Sequence, residues 1–134
     1  MRMITTAILS FTLFAFAAQD ARAELREEQD INAGLLAIAV ADKIRRSCDE
    51  ISGRLWTARS YLNGLKKMAA ERGYTDSEID AYVSDSDNKA EMRKLRNAYF
   101  HSKGASNLDH ASLCKLGRTE IAAQTQIGAF LKAK

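Results

Sequence analysis

Few side chains in this sequence are spaced for chemistry, and they fall into three groups. The first is a pair of cysteines, Cys48 and Cys114, the only two in the chain. There is no Cys-x-x-Cys for redox cycling and no Cys-x-x-Cys-His for haem attachment, so in an oxidising compartment the pair reads as a structural disulfide. The chain-entropy view values closing so long a loop at roughly 4 kcal/mol. The second group is His101, His110 and Asp109. The histidines are nine residues apart with Gly104 between them, off a common helical face, and none of the compact zinc spacings is present. They read as surface or capping residues, and no metal is expected. The third group is Glu120 with Arg118, beside a line of small residues. Catalysis needs a nucleophile with a positioned base, or carboxylates sharing a cleft. Asp49-Glu50 and Asp85/Asp87 instead read as helix-terminal or solvated charge. Glu120 is therefore expected to support the fold through Arg118 or a tyrosine hydroxyl. The alternative is a small enzyme using Glu120 as an acid. Glycines occur singly, with no phosphate-cradling loop, so no catalytic residue and no cofactor are expected and the protein reads as a non-enzyme.

Binding has a better candidate. Trp56, the single tryptophan, lies in Arg54-Leu55-Trp56, with Arg59 three residues on. Leu55, Ala58 and Leu62 continue an apolar stripe, and Trp56 and Arg59 flank it. A tryptophan there is either a core flank or an interface anchor, since Trp, Tyr and Arg dominate binding hot spots. The expectation adopted is the interface.

The elements that must position these residues read as helices. The chain has no proline, and from Ile31 to Ala69 apolar or small residues recur every three or four positions, the helical period. One helix of that length is too long for so small a domain. Ser52-Gly53 marks the weak point, so two helices meeting near residues 47–54 are expected, or one helix bent there, with the unbroken phase favouring the bend. Lys66, Lys67, Arg72 and Gly73 end the segment. Thr75-Asp76-Ser77-Glu78 is a capping box opening a short helix over 76–84, with Tyr74 placed to staple Ile79 or Tyr82. A fourth segment carries Met92, Leu95, Tyr99 and Phe100 and stops at Gly104. An Asp109-led helix then runs to the C-terminus, and its small line Cys114, Gly117, Ile121, Thr125 and Gly128 permits the close approach that a bridge to Cys48 requires. Glu24 to Asp30 reads as a loose polar lead-in. The fold class is all-α: a small antiparallel bundle of four to five helices, pinned by one disulfide.

The first 23 residues carry a secretory signal: a basic start at Arg2, an apolar run from Ile4 to Ala18, and Ala21-Arg22-Ala23 for cleavage after Ala23. The apolar run is shorter than a bilayer crossing needs. The expected organisation is a signal peptide over 1–23 and a single helical domain over 24–134, located in the periplasm. Removing Arg2, Arg22 and Asp20 from the chain's 20 basic and 17 acidic residues leaves a near-neutral domain with interspersed charges. That argues against nucleic acid. The basic knots Lys43-Arg45-Arg46 and Lys66-Lys67 read as solvated faces, with peripheral contact to an anionic membrane or acidic partner as the alternative.

Several runs together resemble the DUF5333 family of short exported alphaproteobacterial proteins. They are Ile44-Arg45-Arg46-Ser47-Cys48, Tyr61-Leu62, Gly73-Tyr74-Thr75, Tyr99-Phe100 with Lys103-Gly104-Ala105, and above all Ser112-Leu113-Cys114-Lys115-Leu116-Gly117-Arg118-Thr119-Glu120-Ile121. Some members bear the description of a NADH dehydrogenase subunit. The resemblance implies an accessory protein at the periplasmic face of the respiratory NADH–quinone oxidoreductase, and it brings no catalytic residues with it. Residue patterns and resemblance thus converge on a non-catalytic accessory or structural protein that binds another protein. A free chaperone-like binding module is the first alternative and the small enzyme the second.

Overall fold

A computed structural model describes residues 24–134; the signal-peptide expectation falls on residues 1–23, outside that range. A 3-10 turn, Leu25–Glu27, leads into α1 (Gln29–Ser47), β1 (Ile51–Gly53), α2 (Leu55–Glu71), α3 (Asp76–Ser84), α4 (Ser86–Ser102), α5 (His110–Ala122), α6 (Gln126–Ala129) and β2 (Leu131–Ala133). The described residues form a small, mostly helical bundle of six α-helices, pinned by one disulfide. α1 forms the axis, packed by α2, α4, α5 and α6. Cys48 and Cys114 are bridged with their Cα atoms 5.2 Å apart, which ties the end of α1 to α5.

Local chemistry explains most boundaries. The capping box of α3 is complete: the Thr75 hydroxyl accepts from the Glu78 N–H at 3.1 Å, and the Thr75 N–H donates to Glu78 at 2.7 Å. Asp85 caps α4 by accepting from Asn88 N–H, and Asp109 caps α5 by accepting from Ser112 N–H. Gly73 and Gly104 adopt positive φ just past α2 and α4, where the sequence placed the stops.

Three expectations are corrected. The stripe from Ile31 to Ala69 is two helices, not one bent one. Cys48 is already extended (φ −128°, ψ 112°), and Ile51–Gly53 pairs antiparallel with Leu131–Ala133, Ile51 opposite Ala133. The apolar spacing kept its phase across a link that is not helical, and strands of three residues are too short to show alternation. The C-terminal segment is likewise broken. α5 ends at Ala122, Gln124 turns with φ 52°, and Thr125 caps α6 by accepting from Gly128 N–H at 3.0 Å. Threonine serves better as a cap than inside a helix. Gly128 is then required by close approach, since a Cβ there would stand 2.0 Å from the Glu120 carbonyl oxygen. Finally, Glu24 to Asp30 is tied down. Leu25 is buried, the Asn32 amide donates to the Leu25 and Glu28 carbonyls, and Glu28 and Asp30 meet Arg72.

Two cores result. The larger joins Val40, Ala41, Ile44, Cys48, Ile51, Phe100, Leu113, Leu116, Phe130 and Leu131 around the disulfide. Gly117 lets α5 close on it, for a Cβ there would sit 2.5 Å from Ile51 Cδ1 and 2.7 Å from Ile44 Cγ2. The smaller core gathers Leu25, Ile31, Ala69, Tyr74 and Ile79 with Tyr82 against it, so Tyr74 does staple α3.

Candidate functional site

The surface with the least buried aromatic anchor is the first turn of α2. Leu65 and Ala69 are buried at 5% and 2% exposure and define the inner face of that helix. Trp56 lies nine residues before Leu65, about 180° around the helix at 3.6 residues per turn. It consequently points outward, 85% exposed, and Leu55, which belongs to the turn beyond the end of the core, is 61% exposed. Leu55 therefore leaves the core stripe where the sequence pattern put it. Arg59 is exposed one turn on and has no ion-pair partner among the described residues. Beside the three opens a hollow of about 200 Å³, walled by Ile38, Ala41, Ala58, Leu62 and Phe130 and rimmed by Asp42, Arg45 and Arg59. Arg54 helps fix the turn: its N–H donates to the Phe130 carbonyl at 2.7 Å and its Nε to the Leu131 carbonyl at 3.2 Å. The local charge is positive. Asp42 lies between Arg45 at 2.7 Å and Arg46 at 2.9 Å, one carboxylate against two guanidinium groups, and Arg54 and Arg59 add to the excess. An outward tryptophan and leucine, an apolar hollow and spare guanidinium groups together suit a partner with an apolar projection among carboxylates.

Glu120 is the buried charged residue among the described residues, at 4% exposure. Its two carboxylate oxygens accept from the Tyr99 hydroxyl and the Thr125 hydroxyl. Thr125 in turn caps α6, so the carboxylate links α4, the end of α5 and the start of α6. Burial, reinforced by the hydrogen bond to Glu120 and by its charge, pushes the Tyr99 phenol above its ordinary range. Arg118 does not join this site, which corrects the pairing expected for it. Two residues apart on a helix, it faces about 200° away from Glu120, and it binds Glu50 in solvent at 2.7 Å. A cavity of about 450 Å³ reaches Glu120; Lys103 and Lys115 line it, and Glu120 is the only carboxylate among the described residues that do. Both oxygens are occupied by hydroxyl donors, so Glu120 ties α4 to the α5–α6 turn.

Other candidates are dispersed. His101, Asp109 and His110 are all exposed. Among the described residues no group of three or more His, Cys, Asp or Glu side chains could hold a metal ion. The basic knots are largely paired at the surface: Arg45 and Arg46 with Asp42, Lys66 with Asp80 at 3.8 Å, and Lys67 with Glu71 at 3.9 Å. No helix among the described residues is long and apolar enough to cross a membrane.

Sequence reasoning missed one cluster. Arg72, at the C-terminal end of α2, donates to Glu28 and, in a two-pronged contact at 2.8 and 2.5 Å, to Asp30 at the start of α1, while the Tyr74 hydroxyl donates to Glu28 at 3.0 Å. The Arg72 guanidinium holds the Asp30 carboxyl down at about 2. The partners are more than forty residues apart, and only the antiparallel packing of α1 on α2 brings them together. The available sign was a pair of carboxylates at the start of one helix and an arginine just past the end of the next.

Residues 23–132 match a family of unknown function, DUF5333, and the chain belongs to it. No curated protein and no solved structure matches the chain.

Proposed function

We propose that this DUF5333 protein is a non-catalytic accessory protein of the periplasm that docks on another protein through Leu55, Trp56 and Arg59. The observation that supports this most is Trp56 at 85% exposure on the face of α2 opposite the core. A solvent-facing indole beside an exposed leucine contributes little to the isolated fold, and such residues are favoured anchors in interfaces. The excess of arginine around the hollow selects an acidic partner surface. In its finer form, following what the family resemblance implies, the partner is the periplasmic side of the respiratory NADH–quinone oxidoreductase. Support for a non-enzymatic role is the arrangement of Glu120, whose oxygens already serve Tyr99 and Thr125.

The test is affinity purification of the tagged protein from membranes opened with mild detergent, followed by mass spectrometry. Wild type is expected to bring down subunits of a membrane complex, and Trp56→Ala to lose them. Recovery of wild type solely as a soluble monomer would count against the accessory role. Recovery with a different complex would retain the docking role and remove the respiratory assignment.

A further inference from the structure

The opposite end of the bundle holds a second binding surface. A groove of about 940 Å³ runs between the N-terminal turn, α3 and the beginning of α4. Its floor is apolar and aromatic: Leu25, Tyr74, Tyr82, Met92 and Leu95, with Leu95 still 43% exposed. The walls carry Glu24, Glu78, Asp85, Asp87 and Glu91 against a single cationic side chain, Arg26, to which cleavage after Ala23 would add the α-amino group of Glu24. Arg26 is already engaged with Glu24 at 3.0 Å. Glu78 and Asp85 accept backbone N–H groups as helix caps, which satisfies an oxygen but leaves the negative charge in place. Glu91 meets only Lys94, at 3.8 Å in solvent, and Asp87 has no ion-pair partner among the described residues.

We propose that this groove binds a basic amphipathic peptide segment of a partner protein, apolar side chains on the floor and Lys or Arg against the walls. Charge complementarity selects the occupant, because the one cationic side chain of the lining is already paired with Glu24 and no other lining side chain offsets Asp85, Asp87 and Glu91. A metal ion does not suit the groove, since among the described residues no three such side chains converge. A neutral apolar ligand would offer nothing to that negative charge. The floor is fixed before binding. The Tyr82 hydroxyl donates to Asn32 Oδ1 at 2.6 Å, Asn32 donates to the Leu25 and Glu28 carbonyls, and Asn88 donates to the Tyr82 carbonyl at 3.2 Å. A preformed floor lowers the ordering cost of docking. The groove and the Trp56 surface share no lining residue, so this inference stands or falls separately from the docking role of Trp56.

The test uses the exported protein purified from the periplasm and a labelled amphipathic Leu/Lys peptide, with the same peptide bearing Glu in place of Lys as control. Fluorescence anisotropy is expected to show saturable binding of the Lys peptide, weakening about tenfold or more as salt rises from about 50 to about 300 mM, and no binding of the Glu peptide. Asp87→Lys with Glu91→Lys should weaken binding at least about tenfold, and Trp56→Ala should leave it unchanged. Leu95→Asp is the sharper variant. It adds negative charge, so loose attraction of a cation would strengthen, whereas a peptide seated on the apolar floor should bind about tenfold more weakly. All three altered groove positions are solvent-exposed, and an unchanged circular dichroism melt checks that the variants fold. Tighter binding to Leu95→Asp, equal binding of the two peptides, or indifference to the double substitution would overturn the proposal.

Discussion

The two ends of α1 are held by different physics. At its C-terminal end the chain is locked by the Cys48–Cys114 bridge, the β1–β2 pairing and a core in which Ile44, Phe100 and Leu113 are fully buried. At its N-terminal end a smaller core is closed by Arg72 gripping Glu28 and Asp30 in solvent. The locked end carries the outward Trp56, and the gripped end carries the acidic groove. A covalent bond and apolar burial are nearly indifferent to salt and mild acid, whereas an exposed ion cluster is screened by salt and discharged by protons. One end of this protein is therefore insulated from its surroundings and the other is responsive to them.

Removing the bridge should produce the largest change. Cys48→Ser with Cys114→Ser is expected to cost about 2–5 kcal/mol of stability, a large share of the roughly 5–15 kcal/mol available to a domain of this kind. A urea titration of oxidised, reduced and doubly substituted protein measures it. Equal midpoints would show that the apolar core suffices without the bridge.

Glu120→Gln comes next, at about 1–3 kcal/mol, the scale of hydrogen bonds to a charged group. The amide is neutral and retains one acceptor, so both hydroxyls lose a charged partner, either Tyr99 or Thr125 loses its acceptor, and the α5–α6 turn loosens. Assays on peptidoglycan and generic ester substrates alongside the melt are expected to show no turnover in wild type or variant. Glu120-dependent hydrolysis with an unchanged melt would promote the enzyme reading.

The smallest effect belongs to the gripped end. Asp30 titrates at about 2 in the folded protein against an ordinary 3.8. A depressed carboxyl stabilises the fold above its ordinary value and loses that contribution as pH falls through its folded value. Wild type should therefore melt slightly above Arg72→Ala at neutral pH, and the two curves should converge between about pH 4 and pH 2, or on adding salt at neutral pH. A difference independent of both pH and salt would mean that Arg72 acts by packing alone.

The sequence was legible where the cause is local. The capping box at Thr75, the stops at Gly73 and Gly104, the α3 span and the cysteine pair all depend on neighbours in the chain or on there being just two thiols. It misled where the cause is tertiary. Ile51 and Leu55 continue the apolar period, yet one is buried in a strand at 1% exposure and the other projects past the end of the core. Thr125 and Gly128 continue the small-residue line of α5, yet they form a new cap and a close contact after a left-handed Gln124. The partners of Glu120 divided in the same way: a tyrosine from another helix was foreseen as one option, while Arg118 was excluded by the geometry of its own helix. The acidic groove has no local signature, because its carboxylates come from three elements that only the fold assembles.

Trp56 serves a partner rather than the core in the proposed role, and Trp56→Ala followed by thermal melt and by partner recovery tests that directly. The melt is expected to be almost unchanged, while association weakens by about 2 kcal/mol or more, as for an interface anchor. A fall in stability of about 3–5 kcal/mol, the range for truncating a buried aromatic, with recovery unaltered would contradict it.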